Sequence, residues 1–290
     1  LDADRFYAER FRTQWMNYPA VGPFLINPEN LPKGGVISYI SCGVPHDFEA
    51  TTRDNVRRAF DQARTIYLRD EQSAEKLRRA GVHRAIHVAP DLTVTLSDQF
   101  NYADQAKRGR EILVRLGVEN DRLILCFQSQ PYPGFSAAEI LRELKRYIER
   151  TGSAVVLLPT GYCHGDHEFL QNLASQSGGT LKYAGVSSIF DMMAVIASSD
   201  VFVGTSLHGN ITAFSFGIPH LFGPLPVAKS EGFLSAANLP RTLKLGAWSE
   251  INERIDMAQG LGREFFAQRA REAKAKVYSV VDEVLQDLLK

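Results

Sequence analysis

The residues best suited to chemistry lie in segment 199–219, where a buried strand is predicted to end and a helix to begin. The strand is predicted over Asp200 to Val203, and the helix is predicted to begin near Asn210. This pattern places His208 beside the first turn of the helix, where backbone N–H groups and the helix dipole favour an anion. A histidine there could donate to a phosphate or act as a general acid near neutral pH. A packing or capping role for His208 fits the spacing equally well.

A second candidate is the arginine that closes a predicted strand, Thr65 to Arg69. At the carboxyl end of a strand, a guanidinium could hold a carboxylate or a phosphate with two parallel hydrogen bonds. The alternative is a surface arginine paired with a neighbouring carboxylate, and the spacing alone favours that alternative. Asp70 and Ser73 follow directly, and we expect them to cap the next helix.

Two further features carry little weight by themselves. Lys229 lies in segment 224–231, which is too rich in proline for regular structure and is therefore predicted to be a loop. The run Cys163 to His167 holds four potential metal ligands, but ligands so close in sequence do not easily surround one tetrahedral zinc ion. We expect a polar loop there and no metal site.

The composition excludes several functional classes. The 33 lysines and arginines balance 33 aspartates and glutamates, so no global positive field exists to collect nucleic acid or an anionic membrane. Any anionic ligand must therefore be held by a few placed cations. The sequence has no Gly-x-Gly-x-x-Gly, P-loop, His-Glu-x-x-His or Gly-x-Ser-x-Gly motif. These absences count against an NAD-binding dehydrogenase, a P-loop NTPase, a zinc protease of that class and an α/β-hydrolase.

Cysteine usage and hydropathy indicate the compartment. The 3 cysteines are scattered, without the pairing of a disulfide framework or a structural zinc site. No apolar run reaches the ~18 residues of a membrane span, and Leu1 to Tyr18 is too charged for a signal peptide. We expect a cytoplasmic protein, with a peripheral place at the inner face of the membrane as the alternative. The sequence leaves a homo-oligomer open.

The elements that must position these residues alternate between short β-branched runs and amphipathic helical patterns. This alternation predicts an α/β fold with parallel sheets. We expect two Rossmann-like domains facing a cleft, over 1–117 and 118–262, followed by a long helix over 263–290. Ligands of such folds bind at the carboxyl ends of the strands.

Taken in order, three motifs resemble those of the polysaccharide pyruvyltransferase family. They are Arg69-Asp-Glu-Gln-Ser73, Pro90-Asp91 and Ser206-Leu-His-Gly209. The resemblance implies a GT-B-like architecture without a required metal or cofactor. Members of the family transfer pyruvate from phosphoenolpyruvate to a sugar as a cyclic ketal. The resemblance also implies that Arg69 belongs to the donor site and that His208 is the essential histidine. Lys229 then matches the family's lysine downstream of that histidine.

The chain departs from the family pattern in two places. Ser206 stands where the family usually has an arginine, so one expected cation is missing. The glycine-rich first strand of the family is not visible before Gly34, and the chain begins with Leu1 instead of methionine. We expect the first domain to be truncated or divergent at its start.

The resemblance predicts a pyruvyltransferase of exopolysaccharide or cell-wall glycan synthesis, with a saccharide or lipid-linked oligosaccharide as acceptor. Asp91 and Asp166 are candidate contacts or bases for the acceptor hydroxyls, although each could equally cap a helix or accept hydrogen bonds from the backbone. The full set of predicted substrate contacts is Asp70, Ser73, Asp91, Asp166, Ser206, Leu207, Gly209 and Asn210. Two rivals stay open: a nucleotide-sugar glycosyltransferase on the same fold, and a non-catalytic carbohydrate-binding relative.

Overall fold

The computed structural model describes residues 33–289 except 45, 162, 163 and 187. Cys163 and the predicted divergent start of the first domain lie outside the described residues. The strands are β1 (Ser38–Cys42), β2 (Thr65–Leu68), β3 (His87–Val88), β4 (Ile124–Gln128), β5 (Ala154–Leu157), β6 (Leu181–Tyr183), β7 (Val201–Gly204) and β8 (His220–Phe222). The helices are α1 (Ala50–Asp61), α2 (Glu71–Arg79), α3 (Leu96–Gln99), α4 (Tyr102–Arg115), α5 (Ala137–Thr151), α6 (Asp166–Gln176), α7 (Ile189–Ala197), α8 (Leu207–Ser215), α9 (Ala228–Ala236) and α10 (Ile251–Leu288).

The described residues form two compact units. The first holds the residues up to Leu92, Val227–Asn238 and the residues from Ala273 onward, and the second holds Thr93–Pro226 and Leu239–Glu272. Helix α10 is interrupted at Gly262, whose φ of 79° is not helical, and this matches the predicted start of a C-terminal helix at residue 263. The predicted α/β fold with parallel sheets and a long C-terminal helix is confirmed.

The first unit is built on a parallel sheet with the strand order β1-β2-β3. In its core, Phe60 of α1 and Leu77 of α2 are completely buried beside Ile66 of β2. Tyr39 of β1 stacks on Phe60 with ring centroids 4.2 Å apart. Val284 of α10 packs in a small cluster with Tyr67 and Ala89, and this fixes the sheet on its other side.

The second unit contains a five-stranded parallel sheet with the order β6-β5-β4-β7-β8. The chain runs outward from β4 to β5 and β6, and then returns to place β7 on the other side of β4. This is the doubly wound order, in which the crevice beyond the carboxyl ends of β4 and β7 is the topological switch point. All residues of β4, β5 and β7 are buried, as expected for strands covered on both faces.

Residues 93–117 pack with the second unit, whereas the sequence grouped them with the first domain. Helix α4 lies so close to α7 that a Cβ on Gly109 would overlap the carbonyl of Ala194. Gly117 has a φ of 77° and ends α4, with Val118 N donating to Leu113 O at 3.0 Å. A glycine that ends a helix inside a unit gives the same sequence signal as one between domains.

Helix α8 begins at Leu207, three residues before the predicted start near Asn210. Ser206 is the N-cap, because its side chain accepts a hydrogen bond of 3.2 Å from the backbone N–H of Gly209. The prediction missed this cap because the apolar run that marks the helix starts later. His208 consequently lies within the first helical turn.

The prediction of a loop around Lys229 is wrong, because this residue lies in helix α9. The prolines that suggested a loop end at Pro226, and no proline follows within the helix. Gly232, in the middle of α9, is required by packing: a Cβ there would lie 2.7 Å from Cβ of Asp70.

Candidate functional site

The candidate site of the first unit lies at the carboxyl ends of β1, β2 and β3. Arg69 directly follows β2, and Asp91 comes three residues after β3. The Arg69 guanidinium lies 3.5 Å from Asp91 Oδ2 and its Nε lies 3.7 Å from Asp70 Oδ2, with 17% of the arginine side chain exposed. The structure therefore places a mostly buried cation between two carboxylates at the edge where α/β folds bind ligands.

The end of β1 is shaped to accommodate this guanidinium. Gly43 has no room for a side chain, because a Cβ would overlap the Arg69 guanidinium. Ser41 has a left-handed φ of 62°, and its hydroxyl accepts a hydrogen bond of 2.7 Å from Leu92 N. Cys42 lies between them, and burial raises the pKa of its thiol, which makes it a poor nucleophile at neutral pH.

Asp70 and Ser73, both predicted substrate contacts, hold the backbone of this edge. Asp70 caps α2 by accepting a hydrogen bond of 2.7 Å from Ser73 N, which confirms the predicted cap. The Ser73 hydroxyl accepts a hydrogen bond of 2.8 Å from Val44 N. Both residues are buried, and in these positions they hold Arg69 and the loop after β1 in place. Their contact with substrate stays a prediction.

Lys229 belongs to the same unit as Arg69. It lies three residues before Gly232 on α9, which places it on the same side of that helix, one turn away. Gly232 packs against the carboxyl group of Asp70, the neighbour of Arg69 in sequence. Two predicted cations, Arg69 and Lys229, thus belong to elements that contact each other through Asp70.

The candidate site of the second unit lies at the switch point between β4 and β7. Gln128, the last residue of β4, is only 2% exposed. Its Oε1 accepts hydrogen bonds from Ser206 N at 2.8 Å and from the Thr205 hydroxyl at 3.2 Å. Its Nε2 donates to Asp166 Oδ2 at 3.2 Å. One side chain therefore holds together the loops that follow the two strands.

Asp166 is completely buried at the start of α6. Its Oδ2 accepts hydrogen bonds of 2.7 Å from the backbone N–H groups of both Thr160 and Gly161. The structure therefore uses this carboxylate to hold the loop after β5, which is the capping alternative. Direct contact of Asp166 with an acceptor hydroxyl would require that loop to open.

His208 is exposed in the first turn of α8, whereas every other residue of that helix is buried. The surrounding predicted contacts hold the turn in place. Asn210 Nδ2 donates to Gly204 O at 2.8 Å and to Ser206 O at 2.9 Å, and Gly209 packs on Phe202. A polar, exposed residue on an otherwise buried helix indicates a role outside packing, so the geometry favours a functional His208 over a core histidine.

The predicted residues thus form two groups. The group in the first unit is Arg69, Asp70, Ser73, Asp91 and Lys229, and the group in the second unit is Asp166, Ser206, Leu207, His208, Gly209 and Asn210. Leu207 is buried and contributes to the core. Across the part of the chain that the structure describes, no cluster of three His, Cys, Asp or Glu side chains could hold a metal ion. No described helix is long and apolar enough to cross a membrane.

Gln128 and Thr205 were not among the predicted site residues. Gln128 is the only polar side chain in its strand, Ile-Leu-Cys-Phe-Gln. A polar residue that ends a buried apolar run at the carboxyl edge of a sheet was the available signal. It indicates a side chain that must find hydrogen-bond partners within the site.

Comparison with solved structures shows the fold. HepE of Anabaena in complex with UDP matches with a TM-score of 0.57 at 14% identity, covering 87% of this chain and 72% of HepE. UDP-GlcNAc 2-epimerase from Neisseria meningitidis bound to UDP-GlcNAc matches with a TM-score of 0.57 at 12% identity, covering 88% of this chain and 71% of the epimerase. The epimerase from Rickettsia bellii has a TM-score of 0.57 at 12% identity, over 87% and 67% of the two chains.

At such low identity these matches support a fold similar to theirs and nothing about activity. No functionally curated protein sequence matches the chain significantly. The sequence profile described as polysaccharide pyruvyl transferase matches residues 11–222, which include Arg69, Asp91 and His208. The chain therefore belongs to the polysaccharide pyruvyl transferase family.

Proposed function

We propose that this protein transfers pyruvate from phosphoenolpyruvate to two hydroxyls of a sugar, forming a cyclic ketal and releasing phosphate. The chain belongs to this family, and the observation that carries the proposal is the position of Arg69. It is a mostly buried cation at the carboxyl edge of a parallel sheet, with space made for it by Gly43. The acceptor class we propose is an exopolysaccharide or cell-wall glycan precursor, either free or lipid-linked.

The ion pairs of Arg69 support a role in donor binding. Their lengths of 3.5 and 3.7 Å exceed the roughly 2.7–2.9 Å of a strong charge-assisted hydrogen bond. Arg69 Nε donates no hydrogen bond within the part of the chain that the structure describes. A ligand carboxylate or phosphate would offer this guanidinium shorter bonds than Asp70 and Asp91 provide. Lys229 would add a second positive charge for a donor that carries both anionic groups.

His208 is assigned the proton transfer. The methylene carbon of phosphoenolpyruvate must gain a proton while a sugar hydroxyl adds to C2. The phosphate then leaves, and a second hydroxyl bonds to C2 to close the ketal ring. The reaction therefore needs a proton donor that works near neutral pH. An exposed histidine on helix α8 can supply this proton. Clamping the phosphate is the other role open to His208.

Ser206 replaces the arginine that is usual in the family, and its hydroxyl caps α8. We propose that Arg69 and Lys229 of the first unit supply the positive charge that binds the donor. The alternative is that the missing arginine abolishes catalysis, which would leave a protein that binds saccharide without turnover. The cytoplasmic location, the peripheral place at the membrane and the homo-oligomer stay predictions.

The experiment is an assay of phosphate release from phosphoenolpyruvate with a panel of galactosides, glucosides and N-acetylmannosaminides. The proposal predicts release that depends on the glycoside, and a product whose mass exceeds that of the glycoside by pyruvate less one water. His208→Ala is expected to lower the rate at least a hundredfold, because general acids contribute about that factor. Glycoside-independent release, or full activity of His208→Ala, would contradict the assignment.

A nucleotide-sugar glycosyltransferase is the second candidate. It is suggested by HepE and the Neisseria meningitidis epimerase, which are described in complex with UDP and UDP-GlcNAc. The same panel with UDP-glucose or UDP-N-acetylglucosamine in place of phosphoenolpyruvate separates the two. Release of UDP in the presence of a glycoside, without phosphate release from phosphoenolpyruvate, would favour the glycosyltransferase.

A further inference from the structure

A short aromatic loop lies at the switch point of the second unit and has no part in the proposed chemistry. It follows β4 and reads Ser129-Gln-Pro-Tyr-Pro-Gly-Phe135, without any charged residue. The backbone N–H of Gln130 donates to the Thr205 hydroxyl at 3.4 Å, which joins the loop to the residues just before His208. The opposite side of the loop meets α6, because Pro131 packs near Gly165. The loop therefore lies at the carboxyl edge of the sheet, where doubly wound folds bind ligands.

The loop presents one aromatic ring to solvent on a rigid turn. Phe135 N donates to Tyr132 O at 3.0 Å, and Gly134 between them has a φ of 92°, as in a type II turn with proline at its second position. Tyr132 is 37% exposed. Two prolines and a hydrogen-bonded turn restrict the loop before any ligand arrives, which lowers the entropy cost of binding.

A series of tilted and edge-on ring contacts connects Tyr132 to the core. The ring centroids of Tyr132 and Phe135 are 5.2 Å apart, and those of Phe135 and Trp248 are 5.6 Å apart. Trp248 is 2% exposed and touches Phe127 of β4 with ring centroids 5.2 Å apart. A Cβ on Gly223 would lie 2.7 Å from the Trp248 ring and 2.8 Å from Thr205 Cγ2, so these ring contacts extend to the residues of the switch point. The Tyr132 ring is thus anchored to the core through Phe135 and Trp248.

We propose that Tyr132 is a saccharide-binding platform that holds the ring of the sugar acceptor against the second unit. Sugar rings have an apolar C–H face and polar edges, which match an exposed aromatic face beside amide and hydroxyl groups. Here Gln130, two residues before Tyr132 on the same loop, is partly exposed and carries such an amide group. The absence of charge from the loop favours a neutral ring over a charged ligand group. This inference rests on the proposed function for the identity of its ligand as the acceptor.

The test compares Tyr132→Ala with Tyr132→Trp and with the control Tyr102→Ala. Tyr102 is also 37% exposed and also lies in the second unit, but it packs on Phe216 away from the aromatic loop. With the best glycoside of the panel, Tyr132→Ala is expected to raise the KM for glycoside about 3- to 10-fold, the factor expected for one aromatic contact. The KM for phosphoenolpyruvate should stay unchanged, Tyr132→Trp should retain tight glycoside binding, and Tyr102→Ala should behave as the wild type.

Saturation-transfer NMR with methyl glycosides makes this result independent of turnover. Transfer to the sugar protons in the wild type and in Tyr102→Ala, with loss in Tyr132→Ala, supports the platform even if phosphoenolpyruvate is never consumed. In that case only the proposed function fails. An unchanged KM for glycoside and unchanged NMR transfer in Tyr132→Ala would overturn the platform. It would also be overturned if Tyr132→Ala weakened uridine binding and left glycoside binding intact.

Discussion

At the scale of single residues, the groups that surround a side chain decide whether a predicted site residue is available for binding or proton transfer. Type and position make His208 a candidate, whereas for Arg69 it is the family resemblance that implies a role in the donor site. The structure gives each a setting suited to anion or proton chemistry. Asp166 has a suitable side chain for a base, but it is buried among backbone donors. Type and spacing locate a residue at the carboxyl edge of a sheet, whereas its partners depend on loops that the pattern does not specify.

The first prediction concerns the geometry of Arg69. Arg69→Lys keeps the charge but loses the planar fork, and Arg69→Ala loses both. We expect the KM for phosphoenolpyruvate to rise about tenfold in Arg69→Lys and about a hundredfold or more in Arg69→Ala, since hydrogen bonds to charged groups contribute about 1.5–3 kcal/mol each. Arg57→Ala, at an exposed position of α1, is the control. Equal KM values in all three variants would exclude Arg69 from the donor site.

At the scale of elements, strands and helices were predicted where hydrophobic periodicity is strong, and the errors include one missed helix and one helix start placed too late. Helix α9 was predicted to be a loop because of prolines that precede it, and α8 was predicted to begin too late because its cap precedes the apolar run. The hydrogen bonds of Gln128 could not be predicted, because they join segments 38 to 78 residues apart in sequence.

The second prediction concerns Gln128. Gln128→Leu removes the acceptor of Ser206 N and one of the three hydrogen bonds to Asp166 Oδ2, and an unsatisfied buried group costs about 1–3 kcal/mol. We expect a lower melting temperature and a lower kcat, because the turn that carries His208 loses its support. Gln176→Leu, at an exposed position at the end of α6, should change neither. A fall in melting temperature with unchanged kcat would show that Gln128 stabilises the fold without positioning His208.

The third prediction concerns the contact between α9 and Asp70. Gly232→Ala would place a Cβ 2.7 Å from Asp70 Cβ, so α9 must move and Lys229 must move with it. We expect a lower melting temperature and a higher KM for phosphoenolpyruvate. Gly260→Ala is the matched control, because that helical glycine has no neighbour within 4 Å. Alanine there should stabilise the fold by about 0.5–1 kcal/mol. Stabilisation by both variants would refute the contact.

At the scale of the whole molecule, the zero net charge and the alternating pattern were sufficient to predict an α/β protein without a global field for nucleic acid. The division into units was harder to predict. Residues 93–117 pack with the unit that follows them in sequence, and the segment Val227–Asn238 packs with the first unit although its sequence neighbours on both sides belong to the second. Such assignments depend on long-range packing, as at Gly109 against Ala194, which local periodicity does not contain.

The fourth prediction concerns the pH dependence of stability. His220 is completely buried among Phe214, Phe222 and Phe266, and burial lowers its pKa to about 4. In the unfolded chain a histidine binds its proton near pH 6.5, so the free energy of unfolding falls as the pH drops from about 6.5 to about 4. From this residue alone we expect a loss of about 2 kcal/mol between pH 7.5 and pH 5.

Urea unfolding of the wild type, His220→Phe and His83→Gln at both pH values isolates this contribution. His220→Phe should lose that part of the pH dependence whatever its absolute stability, whereas His83→Gln, at an exposed position, should keep it. An identical pH dependence in the wild type and in His220→Phe would show that His220 binds its proton normally in the native state.

The most direct test of pyruvate transfer follows the fate of phosphoenolpyruvate labelled with ¹³C at C2. In the presence of the wild-type protein and an accepted glycoside, the vinyl carbon signal should be replaced by the signal of a quaternary ketal carbon, with an equal amount of phosphate. Arg69→Ala and His208→Ala should each leave the label in phosphoenolpyruvate over the same time. A label that stays in phosphoenolpyruvate with every glycoside, or a ketal formed equally by His208→Ala, would contradict the account.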